Sequence, residues 1–246
     1  MDQVSVTAAS GLQSRMEALD LVANNLANST TGGFKLDREF YSLFTAADDG
    51  LAQNSPTALP LIQKQWTDFT QGVLTPTGNP LDMALSGKGF FAVTGPSGPL
   101  YTRNGSFQMS TTGALTTSDG FPVLDQNGQP VQTQSQAPME VQADGSLMQE
   151  GQSIGQLKIV DFQDRSLLQK MGNSYFVLSD PRAKPIPATD ITVQQGKVEG
   201  SNVAPAESAV RLVGLMRQFE MLQKAISITT DMNKHALSEV ARVSGG

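Results

Sequence analysis

From Pro205 to Val243 the chain contains no further proline, so nothing there removes a backbone donor from a continuous helix. Ala209, Leu212, Met216, Phe219, Gln223, Ile226, Thr230, Asn233, Leu237 and Val240 follow one another at alternating steps of 3 and 4 residues, a heptad seam. Such a helix extends about 60 Å, more than a 26.2 kDa globule needs. A long helix with a narrow apolar stripe needs a partner helix. The N-terminus offers one. Between about Val4 and Asn28, the residues Ala9, Leu12, Met16, Leu19, Ala23 and Leu26 step by 3, 4, 3, 4 and 3, over roughly 37 Å. Asn28-Ser29-Thr30-Thr31-Gly32-Gly33 then ends it with turn and cap residues. At the far end, Asn202 suits an N-cap and Pro205 the first helical turn. Two ordinary core helices would show the same spacing.

Between the helices the pattern changes. Residues 36–80 carry the breakers Asp48-Asp49-Gly50 and Asn54-Ser55-Pro56 and read as an extended connector with one strand near residues 60–67. From Leu81 onward, short apolar runs such as Gly89-Phe90-Phe91-Ala92-Val93-Thr94 alternate with turns. Asn104-Gly105 and Asn127-Gly128 are dipeptides suited to hairpins. The 23 glycines and 13 prolines of the 246 residues supply the turns that an antiparallel β domain requires. The expected fold is α+β: N- and C-terminal helices pair as a coiled coil around a central antiparallel β-rich domain. Its segments are 1–35 (helix), 36–80 (connector), 81–200 (β-rich outer domain) and 201–246 (helix).

Residues for chemistry are scarce. The absence of cysteine excludes thiolate catalysis and Cys-based metal sites, and the single His235 excludes a histidine cluster. A net charge of −6 gives no general attraction to nucleic acid. Gly87-Lys88-Gly89-Phe90 precedes a strand and lacks the third glycine of a dinucleotide loop, so it reads as a tight turn. Asp119-Gly120 and Asp125-Gln126-Asn127-Gly128 miss the spacing of a calcium loop. Asp164, Arg165, Asp180 and Arg182 read as solvated turn residues, and nothing selects a carboxylate pair from the 23 acids. The start carries no basic region or apolar run of signal-peptide length, and no segment has the apolar length of a membrane span. The expectation is a non-enzyme with no cofactor, no metal, no small-molecule substrate, no nucleic acid and no membrane insertion. An enzymatic or carbohydrate-binding β domain with helical appendages is the competing class.

Four ordered motifs then carry a resemblance. Ala23-Asn24-Asn25-Leu26-Ala27-Asn28 with Thr31-Gly32-Gly33-Phe34-Lys35 resembles the N-terminal signature of the bacterial flagellar rod and hook proteins. Pro80-Leu81-Asp82-Met83-Ala84-Leu85 with Gly87-Lys88-Gly89-Phe90-Phe91 is similar to that family's next signature, and Tyr101-Thr102-Arg103-Asn104-Gly105-Ser106-Phe107 to its third. Val198-Glu199-Gly200-Ser201-Asn202-Val203 resembles the entry to its C-terminal helix. Arg217-Gln218-Phe219-Glu220-Met221 and the short length look more like the proximal-rod type than the distal-rod or hook type.

The resemblance implies an inner coiled-coil domain, an outer β domain, and stacking into a hollow axial tube that carries motor torque to the hook. It implies self-association, contact with other flagellar rod proteins, and passage through the flagellar type III export apparatus without a cleaved signal. The implied location is the basal-body rod crossing the periplasm. Implied assembly residues are Leu12, Met16, Leu19 and Leu26 against Leu212, Met216, Phe219 and Ile226. Asn24, Asn25 and Asn28 offer amides to neighbours, with a left-handed cap as the plainer role of Asn28. Phe34 would lock the connector or close the helix end. Gln223 is a polar seam position that fixes register or faces water. A lone chain leaves the seams unpartnered, so the termini are expected to order on assembly.

Overall fold

The computed structural model describes residues 3–45, 58–133, 137–172, 174–180 and 182–243. Two helices, α1 (Gln3–Ala27) and α2 (Pro205–Val243), enclose in sequence an antiparallel β-rich part, an α+β arrangement. The strands are β1 (Leu36–Thr45), β2 (Ala58–Asp68), β3 (Leu74–Pro76), β4 (Met83–Gly87), β5 (Phe90–Gly95) and β6 (Gly98–Thr102). They continue with β7 (Phe107–Met109), β8 (Leu115–Thr117), β9 (Met139–Val141), β10 (Ser146–Gln149), β11 (Gln152–Gln156) and β12 (Ile159–Asp161). The last are β13 (Leu168–Met171), β14 (Tyr175–Leu178), β15 (Ile186–Pro187), β16 (Ile191–Gln195) and β17 (Lys197–Glu199). The chain divides into two compact units. One comprises Met1–Leu26, Asp37–Trp66 and Ala204–Gly246, and the other Ala27–Leu36 and Thr67–Val203.

The β unit is built on a six-stranded sheet of order β13-β14-β6-β5-β12-β15. Strand β5 lies near its middle and explains the unbroken apolar run of its sequence. Phe91 and Val93 face one cluster, with Met83, Leu85, Leu115 and Leu147, while Phe90 and Ala92 face another, with Tyr101, Phe162 and Phe176. A strand buried on both faces has no polar side to alternate with. In the second cluster Phe90 and Phe176 sit edge-to-face with centroids 5.7 Å apart, and Tyr101 meets Phe162 at 4.9 Å. Each such ring withdrawn from water contributes on the order of 1.5–3 kcal/mol. A three-stranded sheet β11-β10-β9 and the ladders β16-β4, β17-β3 and β7-β8 complete the unit.

Asn127-Gly128 forms the expected tight turn, with Gly128 at φ +78° and its N–H donating to Asp125 O. Asn104-Gly105 does not form a hairpin, because β6 pairs with β5 and β14 while β7 pairs with β8. Glycine is required there for close approach: a Cβ on Gly105 would lie 1.6 Å from Met83 O. Within residues 36–80, where one strand was expected, β1 and β2 pair with each other and β3 pairs with β17.

In the helical unit, Ala18, Leu21 and Val22 of α1 pack with Leu215 of α2, and Leu19 and Leu212 lie against them. Arg211 on α2 ion-pairs with Glu39 on β1.

Candidate assembly surface and a buried ion cluster

The helical unit distributes the sequence-predicted residues unevenly. Leu12, Leu19, Leu26, Leu212, Phe219 and Ile226 are half-buried, whereas Met16, Asn24, Met216 and Gln223 are exposed. The packing inside the chain centres on Leu215, with Leu212 beside it. On α2 the less exposed positions Leu212, Leu215, Phe219, Leu222 and Ile226 also alternate by 3 and 4 and contain no polar residue. Leu215 is the residue that sequence reasoning passed over, and that all-apolar spacing was the signal for it. Asn25 is buried, and its amide makes a two-point clamp on the backbone of Asp37. Its Nδ2 donates to Asp37 O at 2.8 Å and its Oδ1 accepts from Asp37 N at 3.0 Å. Thr230 Oγ1 donates to Ile226 O, while the Asn233 side chain lies outside the described residues.

In the β unit, Asn28 is buried but not left-handed: among described non-glycine residues only Glu150 has positive φ. Asn28 instead accepts twice from Thr31, through its carbonyl from the Thr31 N–H and through Oδ1 from the Thr31 hydroxyl. The left-handed residue of this turn is Gly33, at φ +70°, whose added Cβ would fall 2.2 Å from Asn104 N. Phe34 is 1% exposed, with Lys170 Nζ 3.9 Å above its ring.

Beside Phe34 lies a cluster that sequence reasoning missed. Lys35 and Glu199, 164 residues apart, are both fully buried and meet at 2.5 Å. Glu199 Oε1 also accepts from Gly72 N at 2.9 Å, and Oε2 accepts from Arg103 Nη1 at 3.1 Å. Arg103 further donates to Leu85 O and Gly87 O, and its guanidinium lies 5.4 Å from the centre of the Phe90 ring. Lys35 also donates to Thr70 O at 2.8 Å. Asn202 closes the same region, accepting from Leu36 N and donating to Asp68 O and Thr70 O. All four sequence motifs thus converge around one carboxylate.

Burial holds the Lys35 ammonium below its ordinary range, more strongly than Glu199 raises it. Burial also lowers Arg103, which nonetheless keeps its proton. Both oxygens of Glu199 are held by protein donors and the cluster is shut off from water, while Arg103 Nε is buried without a hydrogen-bond partner. Chemically it can tie segments together but offers no open acid, base or nucleophile. Among the described residues, no group of three or more His, Cys, Asp or Glu is placed to hold a metal ion. None of the described helices is long and apolar enough to cross a membrane.

The comparisons with known proteins agree along the length of the chain. Residues 6–35 match the model "Flagella basal body rod protein", residues 84–152 "Flagellar hook protein FlgE/F/G D1 domain", and residues 194–239 "Flagellar basal body rod FlgEFG protein C-terminal". The chain is 31% identical to the flagellar basal-body rod protein FlgF of Caulobacter vibrioides, over 99% of this chain and 100% of that protein. It is 34% identical to FlgF of Mesorhizobium japonicum over 98% of each, and 32% identical to the rod protein FlgG of Buchnera aphidicola over 94% of this chain and 96% of that one. The chain belongs to the flagellar basal-body rod protein family, and within it is most like FlgF.

Proposed function

We propose that this chain is a structural subunit of the flagellar basal-body rod, of the proximal FlgF type, polymerising into the axial driveshaft that passes motor torque to the hook. The observation that carries the reading is full-length similarity to FlgF combined with uncovered apolar side chains on both helices, among them Met16, Val213 and Met216. A face of that kind on a long helix is unstable in water unless another surface covers it. In this reading α1 and α2 pair as the inner coiled-coil domain. Leu12, Leu19, Leu26, Leu212, Phe219 and Ile226 serve that pairing, and Met16, Asn24, Met216 and Gln223 face neighbouring subunits. Asn25, Asn28 and Phe34 hold the shape of the segments that present them. Torque passes through packed interfaces, with no reaction centre and no cofactor. Partners are further copies, other rod proteins and the flagellar type III export apparatus, through which the chain crosses to the periplasmic rod without signal cleavage.

The FlgG relatives support a second reading, a distal-rod subunit of the same family. Labelling of an epitope-tagged full-length chain in purified basal bodies tests both. Label at the motor-proximal end of the rod supports the first reading, and label next to the hook supports the second. A protein missing from basal bodies refutes both.

A further inference from the structure

Helix α2 carries a second apolar row that the contact with α1 inside the chain leaves uncovered. Val210, Met221, Ile228 and Met232 are 75%, 63%, 52% and 67% exposed. With Gly214 and Ala225 between them, they recur at steps of 4, 7, 4, 3 and 4. At 3.6 residues per turn these positions share one face, roughly opposite Leu212, Leu215 and Phe219. Arg217 and Lys224 lie one heptad apart along an edge of that face. The outer face of α1 is complementary. Met16, Asp20 and Ala23, at steps of 4 and 3, are all exposed, and they present a flexible apolar knob, an acid and a small residue.

We propose that the second row of α2 receives the outer face of α1 from another copy of this chain, with Asp20 meeting the Arg217–Lys224 edge. Two different faces joined in this way make a heterologous contact, which leaves one face open at each end and propagates without closing. A parallel pairing of two α2 rows would set Arg217 and Lys224 against their own copies, a like-charge arrangement that opposes association. An antiparallel pairing would close a dimer and leave α1 unused. The inference rests on the rod reading and adds to it which helix meets which.

The chain has no cysteine, so introduced thiols report unambiguously. Full-length Ala23→Cys and Met221→Cys proteins are mixed and mildly oxidised, with Ser227→Cys, on a different face of α2, in place of Met221→Cys as the control. The mixed disulfide of Ala23→Cys with Met221→Cys should form several-fold faster than the control. Adding Asp20→Lys to the Ala23→Cys chain should slow it about two- to fivefold at low salt, the range of an exposed ion pair, and Lys224→Glu in the partner should restore it. A rate equal to the control, a dominant Met221→Cys homodimer, or a bond formed within one highly diluted chain carrying both cysteines would overturn the inference. Basal-body fractionation tests the rod reading separately. A chain that enters basal bodies without this cross-link overturns the contact alone. One that cross-links this way yet never enters basal bodies overturns the rod reading and leaves the contact standing.

Discussion

Replacing Glu199 by Gln keeps the side chain's shape and Oε1 as the acceptor for Gly72 N, removes the charge shared by Lys35 and Arg103, and turns the oxygen that accepts from Arg103 into an NH2 donor. Breaking a buried ion pair at one partner costs about 3–5 kcal/mol, because the remaining charge is stranded. Here two cations are stranded beside each other, so the loss should lie at the upper end, about 5 kcal/mol, a large part of the roughly 5–15 kcal/mol of a whole domain. The pH dependence supplies the sharper test. Lys35 already sits below its ordinary value because of burial, and losing Glu199 lowers it further. Between that lowered value and the ordinary one, the unfolded chain binds more protons than the folded chain, so stability rises with pH. The slope approaches about 1.4 kcal/mol per pH unit for one proton. Urea melts from about pH 6 to 10 follow this, read by circular dichroism of the tyrosines, since Tyr101 and Tyr175 of the 3 tyrosines lie in the β unit. Glu199→Gln should be poorly stable at neutral pH and recover relative to wild type as pH rises. Adding Lys35→Met should restore part of the loss and flatten the slope. A Glu199→Gln protein within about 1 kcal/mol of wild type, or one whose pH profile runs parallel to it, would refute the reasoning, since removing one partner of a buried pair normally costs several times that.

Gly33→Ala should destabilise the β unit by about 2 kcal/mol or more, since positive φ and a Cβ 2.2 Å from Asn104 N both oppose it; a melt unchanged by the substitution would contradict this. Leu215→Ala should lower stability of the monomer by about 2–4 kcal/mol, whereas Val210→Ala, on the uncovered row, should change it by less than about 0.5 kcal/mol; equal effects in thermal melts would show that the two faces are not distinct. Asn25→Ala removes both side-chain hydrogen bonds to the backbone of Asp37 and should cost about 1–3 kcal/mol. Hydrogen exchange at the Asp37 amide should accelerate more than at α1 amides distant from it.

Both helices were legible because proline is absent from their interiors and alternating 3 and 4 spacing is a strong pattern. Which row packs inside the chain was not. Leu212-Met216-Phe219-Gln223 and Leu212-Leu215-Phe219-Leu222 obey the same spacing, and α2 also carries Val210 and Met221 on a third side, so periodicity alone leaves the partner face undetermined. Strand β5 was readable as a strand, but its neighbours β6 and β12 lie on one side close in sequence and on the other over 60 residues away; no local signal encodes such pairing. The ion cluster was hidden because a lone Lys, Arg or Glu is by default solvated. Its trace was the glycine near each member, Gly33 by Lys35, Gly105 by Arg103 and Gly200 by Glu199, residues that let backbones come close.

The 164-residue separation between Lys35 and Glu199 also governs when the β unit can finish folding. Closing a loop of that length costs about 4–5 kcal/mol in chain entropy beyond a constant, and contacts so distant in sequence slow the search for the native state. Glu199 sits in β17, so a chain that ends between Arg103 and Glu199 carries both cations without the carboxylate that joins them. The ties that Glu199 makes to Lys35, Gly72 and Arg103 thus become available only when the chain is nearly complete.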